Sequence, residues 1–235
     1  MQMTSLNTFS VQRRFNNSSE HNNMTSVVAW RSPYQNQFRQ RVHSLLHQGY
    51  RRALAEIKQR HKEEDITGLI VREIDLILKS RMFPWCAQYE VKENNPIEDG
   101  IRRGRSRLKP DIIIGSVTRT GRPRYEFEAK RLDERKNKEK VYIGTAGMGC
   151  FINELYAVDY PEAVMVGYVQ QGLIPNWLSR IRNAIETENT GCLRFSPPIV
   201  EAAVIPEFPD EIISTHVRPN RGPIAVYHIL LDCKP

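Results

Sequence analysis

Nowhere does the chain approach the roughly 18 consecutive apolar residues that a membrane-spanning helix needs, so no membrane partner is expected. The N-terminal stretch is rich in Asn, Ser and Gln and lacks the apolar centre of a secretory signal, which points to the cytosol. Cysteine is scarce: Cys86, Cys150, Cys192 and Cys233 lie far apart with no CxxC pair, excluding a zinc knuckle or a disulfide framework and leaving buried free thiols as the expectation. No internal repeat is present. His43 and His47 are four apart on a helical pattern but lack both an HExxH glutamate and a third ligand, so no zinc site is expected there. Gly144, Gly147 and Gly149 fit neither a P-loop nor a dinucleotide fingerprint, and close helix packing is their expected use.

What is present in excess is positive charge. Lys and Arg number 34 against 27 Asp and Glu, a net charge of +7. The excess is concentrated in IRRGRSRLK, residues 101–109, where Arg102, Arg103, Arg105, Arg107 and Lys109 stand with no acid among them. A stripe of that kind can neutralise several phosphates of a nucleic acid. His216, Arg218 and Arg221 lie in a stretch (THVRPNRGP) that reads as a loop, able to reach a phosphate or to be simply solvated. His228 reads as a satisfied core histidine, and Trp30, Trp85 and Trp177 are too scattered to form a stacking platform.

At 235 residues one sizeable core is the default. Residues 1–30 hold too little apolar surface to offset the entropy of ordering and read as a flexible arm, leaving 31–235 as a single domain. Proline is missing from Asn36 to Arg81, and two helical patterns follow one another there: Phe38, Val42, Leu45 and Leu46, then Glu63–Ser80 with Ile66, Leu69, Ile70, Ile74 and Ile77 on one face. After Pro84 the period changes, and Trp85, Ala87, Tyr89 and Val91 alternate with polar residues as in a half-buried strand. DIIIG and, past a turn with Gly121 and Pro123, RYEFEAK complete a predicted meander. A charged linker (RLDERKNKEK), a helix through Met148, Phe151, Ile152 and Leu155, a buried strand AVMVGYV, a helix PNWLSRIRNAIET, a short strand EAAVIP and a C-terminal strand IAVYHILLD follow. The expected class is α/β, with a mixed central sheet flanked by helices.

The chemistry is carried by the middle of the meander. A side-chain period of two in RYEFEAK puts Arg124, Glu126, Glu128 and Lys130 on one face and Tyr125, Phe127 and Ala129 on the other, the apolar side being the core face. An ExK tripeptide alone far more often marks a solvated surface. Upstream, however, Lys109-Pro110-Asp111 places a second carboxylate at the mouth of the preceding strand, and pairing the two strands brings Asp111 to Glu128. Two hard carboxylates at the end of a sheet suit Mg²⁺, with Mn²⁺ as a substitute, because Mg²⁺ takes one or two carboxylates plus waters and phosphate oxygens. Phosphodiester hydrolysis uses such parts: Asp111 and Glu128 as metal ligands and Lys130 to position the attacking water. Arg131, directly after Lys130, joins the stripe as a phosphate-contact candidate.

The string Pro110-Asp111 with Glu128-Ala129-Lys130 resembles the PD-(D/E)xK nuclease superfamily. That resemblance covers about residues 60–170 and implies a restriction-endonuclease-like core of helix, three strands, helix and strand. It also implies a glutamate on the helix before the sheet, for which Glu63 and Glu64 are the candidates, Glu63 pointing more directly towards the sheet. The activity implied is Mg²⁺-dependent cleavage of DNA in restriction or defence against phage, by a chain acting as a homodimer or with a partner subunit of a defence system. A protein that keeps the fold and the basic stripe but only binds nucleic acid is the competing expectation.

Overall fold

The computed structural model describes the backbone of residues 20–96, 108–117, 123–134, 137–188 and 190–234, with side chains from residue 36 onward. The stripe residues Arg102, Arg103, Arg105 and Arg107 lie outside the described residues, and of the proposed cations in that stretch only Lys109, which is exposed, lies within them. The chain divides into two compact units, Met1–Arg39 and Gln40–Pro235. Helix α1 spans Glu20–Ala53, so helical backbone begins inside the stretch 1–30 that composition reads as an arm.

A seven-stranded mixed sheet organises the second unit, in the order β1-β2-β3-β4-β7-β6-β5. β1 (Tyr89–Glu93), β2 (Ile112–Ser116) and β3 (Arg124–Leu132) form the antiparallel meander. β4 (Glu162–Val169) is parallel to β3 and to β7 (Gly222–Asp232), while β6 (Ile212–Arg218) is antiparallel to β7 and to β5 (Phe195–Glu201). Helix α2 (Glu63–Ser80) packs on β1 and β3 with Ile66, Ile70, Ile74 and Ile77 buried, as its period predicts. On the opposite face, α4 (Gly149–Ile152) and α5 (Ile174–Glu186) bury Phe151, Ile152, Trp177, Ile181 and Ile185 against Leu132, Met165, Val169 and Leu230. The class is therefore α/β with helices on both faces of a mixed sheet, and among the described residues no helix is long and apolar enough to cross a membrane.

Four expectations are corrected. Pro84–Gln88 is a 3-10 turn and the strand starts only at Tyr89, because Pro84 sets the first turn and Phe83 stacks on Trp85, with Cys86 N–H bonded to Phe83 O at 2.9 Å. The predicted single helix after the linker is two short ones, α3 (Lys138–Ile143) and α4. The glycines there close the turn between them: Met148 N–H bonds Tyr142 O at 2.9 Å, and a Cβ at Gly147 would collide with that same carbonyl. In the third case, 202–206 is not strand, whereas the predicted loop THVR is the end of β6, with His216 and Arg218 buried rather than presented to a phosphate. Arg218 instead donates to the carbonyls of Ala157 (2.9 Å), Val158 (3.2 Å) and Gly222 (3.1 Å). Cys192 is exposed, unlike the other three thiols, and all four are free.

His228 is the core histidine expected, and its partners form a buried chain. Leu193 O accepts from His216 Nδ1 (2.7 Å), Ser214 Oγ lies 2.7 Å from His216 Nε2 and 2.7 Å from His228 Nε2, and Tyr142 OH is 3.2 Å from His228 Nδ1. Since a carbonyl can only accept, His216 carries its proton on Nδ1, Ser214 donates to His216, and His228 donates from Nε2 to Ser214. With the Tyr142 proton shared between His228 Nδ1 and Met165 O (3.3 Å), the bonds of this chain are met with both rings neutral. Burial, then the neighbouring His216, holds His228 down at about 3, and burial likewise lowers His216. An unfolded histidine takes up a proton near pH 6.5, so the unfolded state binds more protons below that point and folding stability falls as pH drops from there towards 3. We expect acid unfolding monitored by circular dichroism to be shifted to lower pH in His228→Gln, after correction for its stability at pH 7.

Candidate active site

The site grows out of a break in the sheet. β2 and β3 run in register from Ile112 opposite Phe127, one step short of placing Asp111 opposite Glu128. Pro110 has no N–H with which to continue the ladder. The carboxylate of Asp111 takes over: its Oδ2 accepts the Ala129 N–H at 2.7 Å, which locks Asp111 beside β3. Glu128 and Lys130 follow on β3, and Lys130 lies opposite Gly167 of β4.

Lys130 collects the acids. Its Nζ donates to Glu128 Oε1 at 2.6 Å, to Glu63 Oε1 at 3.1 Å and to Ala129 O at 2.7 Å. Glu63, the first residue of α2, also accepts the Arg131 N–H through Oε2 at 2.8 Å, so that helix and strand are joined at the C-terminal end of β3. Glu64 is exposed and makes no such bond, although its charge reaches Asp111. The geometry thus brings together Asp111, Glu128, Lys130 and Glu63, and leaves Glu64 at the rim.

The face carrying Glu126, Glu128 and Lys130 is no solvated surface. It lies on the side of the sheet covered by the segment from Lys138 to Ala157, with Glu126 fully buried and Glu128 and Lys130 at 7% and 9% exposure. Both faces of β3 are buried, which alternation alone does not reveal. Burial, reinforced by the charge of Asp111, pushes the Glu128 carboxyl up to about 8, and burial raises Asp111 to about 6. For Lys130, burial pulls downward, but the surrounding carboxylates of Glu128, Glu63 and Asp111 outweigh it and hold the ammonium above the usual lysine range. Lys130 is therefore a charged donor here and not a base.

Three carboxyl groups face one ammonium, so that their full ionisation would leave an excess of negative charge where water is scarce. Glu128 Oε2 is buried and accepts no hydrogen bond among the described residues. An orphaned carboxylate oxygen beside the half-buried carboxylate of Asp111 fits a hard divalent cation. No group of three or more His, Cys, Asp or Glu side chains forms a ready-made cage among the described residues. Two carboxylates are the share that Mg²⁺ ordinarily takes from a protein, so Asp111 and Glu128 fit that ion and not one requiring a full protein cage.

Neighbours missed from sequence complete the wall. Cys150 of α4 donates to Thr145 O at 3.3 Å, and burial together with the Glu128 charge pushes its thiol up to about 12, which removes it as a nucleophile. Tyr156 reaches Lys109 O at 3.1 Å, and its phenol is likewise raised by burial and then by Glu128. Glu126 fixes the segment that carries Tyr156 by accepting the Ala157 N–H at 2.7 Å, while Arg124 pairs with its other oxygen at 2.6 Å. Only contacts between distant segments reveal these three. Arg131 is partly buried, with Nη2 donating to Gln59 O at 3.1 Å and Nε 3.6 Å from Asp133. The His43 ring lies 2.8 Å from Glu211, far in sequence from the site and fully buried. A separate cavity of about 480 Å³ opens between α3 and α5, and no member of the carboxylate cluster lines it.

No protein-family model matches the chain, and no match was found among curated proteins or solved structures. The site is thus read from its own chemistry. Carboxylates held above their ordinary range cost stability once they ionise, with the loss growing as pH rises from the ordinary carboxylate range towards 8. Glu128→Gln removes that cost, and we expect it to stabilise the metal-free protein at pH 8 by roughly 1 kcal/mol. Urea unfolding in EDTA checks this; a lowered midpoint would show that the carboxylate stabilises the fold.

Proposed function

We propose that the protein is a Mg²⁺-dependent endonuclease that hydrolyses phosphodiester bonds of DNA, built on a restriction-endonuclease-like core of the PD-(D/E)xK type. The observation that carries this reading is the pair of half-buried Asp111 and buried Glu128, with an orphaned Glu128 oxygen, beside an ammonium held in its charged form. The element order supports it: α2, the β1–β3 meander, the short α3 and α4, then β4 parallel to β3, with the cluster at the carboxyl end of β3.

Asp111 and Glu128 would hold the ion, and Mn²⁺ would substitute for Mg²⁺. Bound there, the ion supplies a water of lowered pKa and neutralises charge developing on the phosphate. The chain's own residues do the rest. Lys130 stays protonated and offers a donor to the attacking water or to a phosphate oxygen, the kind of preorganised charge that is most effective away from bulk water. Glu63 anchors Lys130 from the opposite side and fixes its direction. Buried neighbours on α4 and Tyr156 limit water around the reacting phosphate. One site per chain and two strands to cut favour a two-fold pair of chains. Restriction or defence against phage, alone or with a partner subunit, is the setting we propose.

Lys130→Ala is expected to lower cleavage of plasmid DNA with Mg²⁺ by about 100-fold or more while leaving DNA binding in EDTA intact. Wild-type protein that cuts neither plasmid nor linear duplex with Mg²⁺ or Mn²⁺ would refute the enzyme and favour a binding protein of the same fold.

A further inference from the structure

Between the end of α1 at Ala53 and the start of α2 at Glu63 the chain reads Leu-Ala-Glu-Ile-Lys-Gln-Arg-His-Lys. Its last five residues form a tight turn in which His61 N–H bonds Lys58 O at 2.9 Å and Lys58 N–H meets His61 Nδ1 at 3.3 Å. Three of its carbonyls are fastened to the ends of the central strands. Gln170, just past β4, donates from Nε2 to Lys58 O (3.2 Å) and His61 O (3.4 Å), and Arg131 of β3 donates to Gln59 O (3.1 Å). The backbone polar groups are thereby used inward.

The side chains are left outward. Lys58, Arg60 and Lys62 are exposed. Among the described residues none of the three has an acidic side chain within ion-pair distance, although Lys58 lies within electrostatic reach of Glu56 and the exposed Glu64 follows Lys62 by two residues. Glu56 pairs with Arg72, Glu63 with Lys130, and Asp65 accepts the Lys62 N–H at 2.9 Å. Lys62 is covalently joined to Glu63, so these cations stand at the mouth of the carboxylate cluster. Gln170, which holds the turn, is 2% exposed and keeps a buried Oε1 without a hydrogen-bond partner. A pinned backbone with three exposed cations outside ion-pair distance of any acid, beside the carboxylate cluster, is arranged for a polyanion that those acids would otherwise repel.

We infer that Lys58, Arg60 and Lys62 form a phosphate-binding turn that grips the duplex backbone next to the cleaved phosphodiester. This rests on the nuclease reading and adds to it a substrate contact outside the stripe 101–109. The contact is to phosphate, so it positions the duplex without reading sequence.

The test is fluorescence anisotropy of wild type and Lys58→Ala/Arg60→Ala/Lys62→Ala with a labelled duplex in EDTA, across a salt series. The turn is held through carbonyls, so the triple variant should melt at the wild-type temperature. Its affinity should fall by at least tenfold, and the slope of log K against log salt should become shallower by about 2.7, at about 0.9 per phosphate contact. The charge-preserving Lys58→Arg/Arg60→Lys/Lys62→Arg should keep the wild-type slope. Equal affinity and slope in the alanine variant overturn the inference, as does a loss of affinity with the slope unchanged. Wild type that binds duplex but never cuts it sinks the nuclease reading and leaves the turn to be decided by these slopes; wild type that binds no duplex sinks both.

Discussion

Asp111, Glu128 and Glu63 come from three different elements and meet around a single ammonium, Lys130, at a point where both faces of β3 are covered. The fold accepts an electrostatic cost to keep them there, since carboxylates brought together out of water repel one another and lose hydration. Much of the local architecture serves that placement. The ladder break at Pro110 turns Asp111 into the partner of Ala129, the first residue of α2 bonds both Lys130 and the Arg131 backbone, and Glu126 anchors the segment behind Tyr156. Residues held at such a cost are characteristic of sites that bind or react.

This economy also separates the site from the other buried polar groups. The chain Leu193–His216–Ser214–His228–Tyr142 is fully satisfied and neutral, and the His43–Glu211 contact joins α1 to the segment before β6. Both are closed networks. The carboxylate cluster is open: it has more acid than base and an oxygen with nothing among the described residues to accept from. A ligand of positive charge completes it, while a ligand of negative charge needs help to approach, and the cations at 58–62 stand where that help is required.

Long, strongly periodic segments were legible in the sequence. Ile66, Ile70, Ile74 and Ile77 marked α2, and the apolar runs at 112–114 and 163–169 marked β2 and β4, because their burial depends on their own pattern. Asp111, Glu128 and Lys130 could be brought together from sequence because a meander pairs neighbours. Trp85 and Ala87 misled, since alternation before Tyr89 was outweighed by Pro84 and the Phe83–Trp85 stack. β6 was hidden because His216 and Arg218 are polar residues whose burial is made tolerable by partners on distant segments, Leu193 and Ala157 among them. The acidic face of β3 was illegible for the same reason: covering by the segment from Lys138 to Ala157 is a tertiary event, and the glycines that divide α3 from α4 gave no hint of it.

The carboxylates of Asp111 and Glu128 are incomplete without a divalent cation. Isothermal titration of the metal-free protein with Mn²⁺ tests this directly. Saturable binding is expected in wild type and is lost in Asp111→Asn and in Glu128→Gln, both of which stay folded. Absence of binding to wild type, or binding that survives both substitutions unchanged, would contradict it.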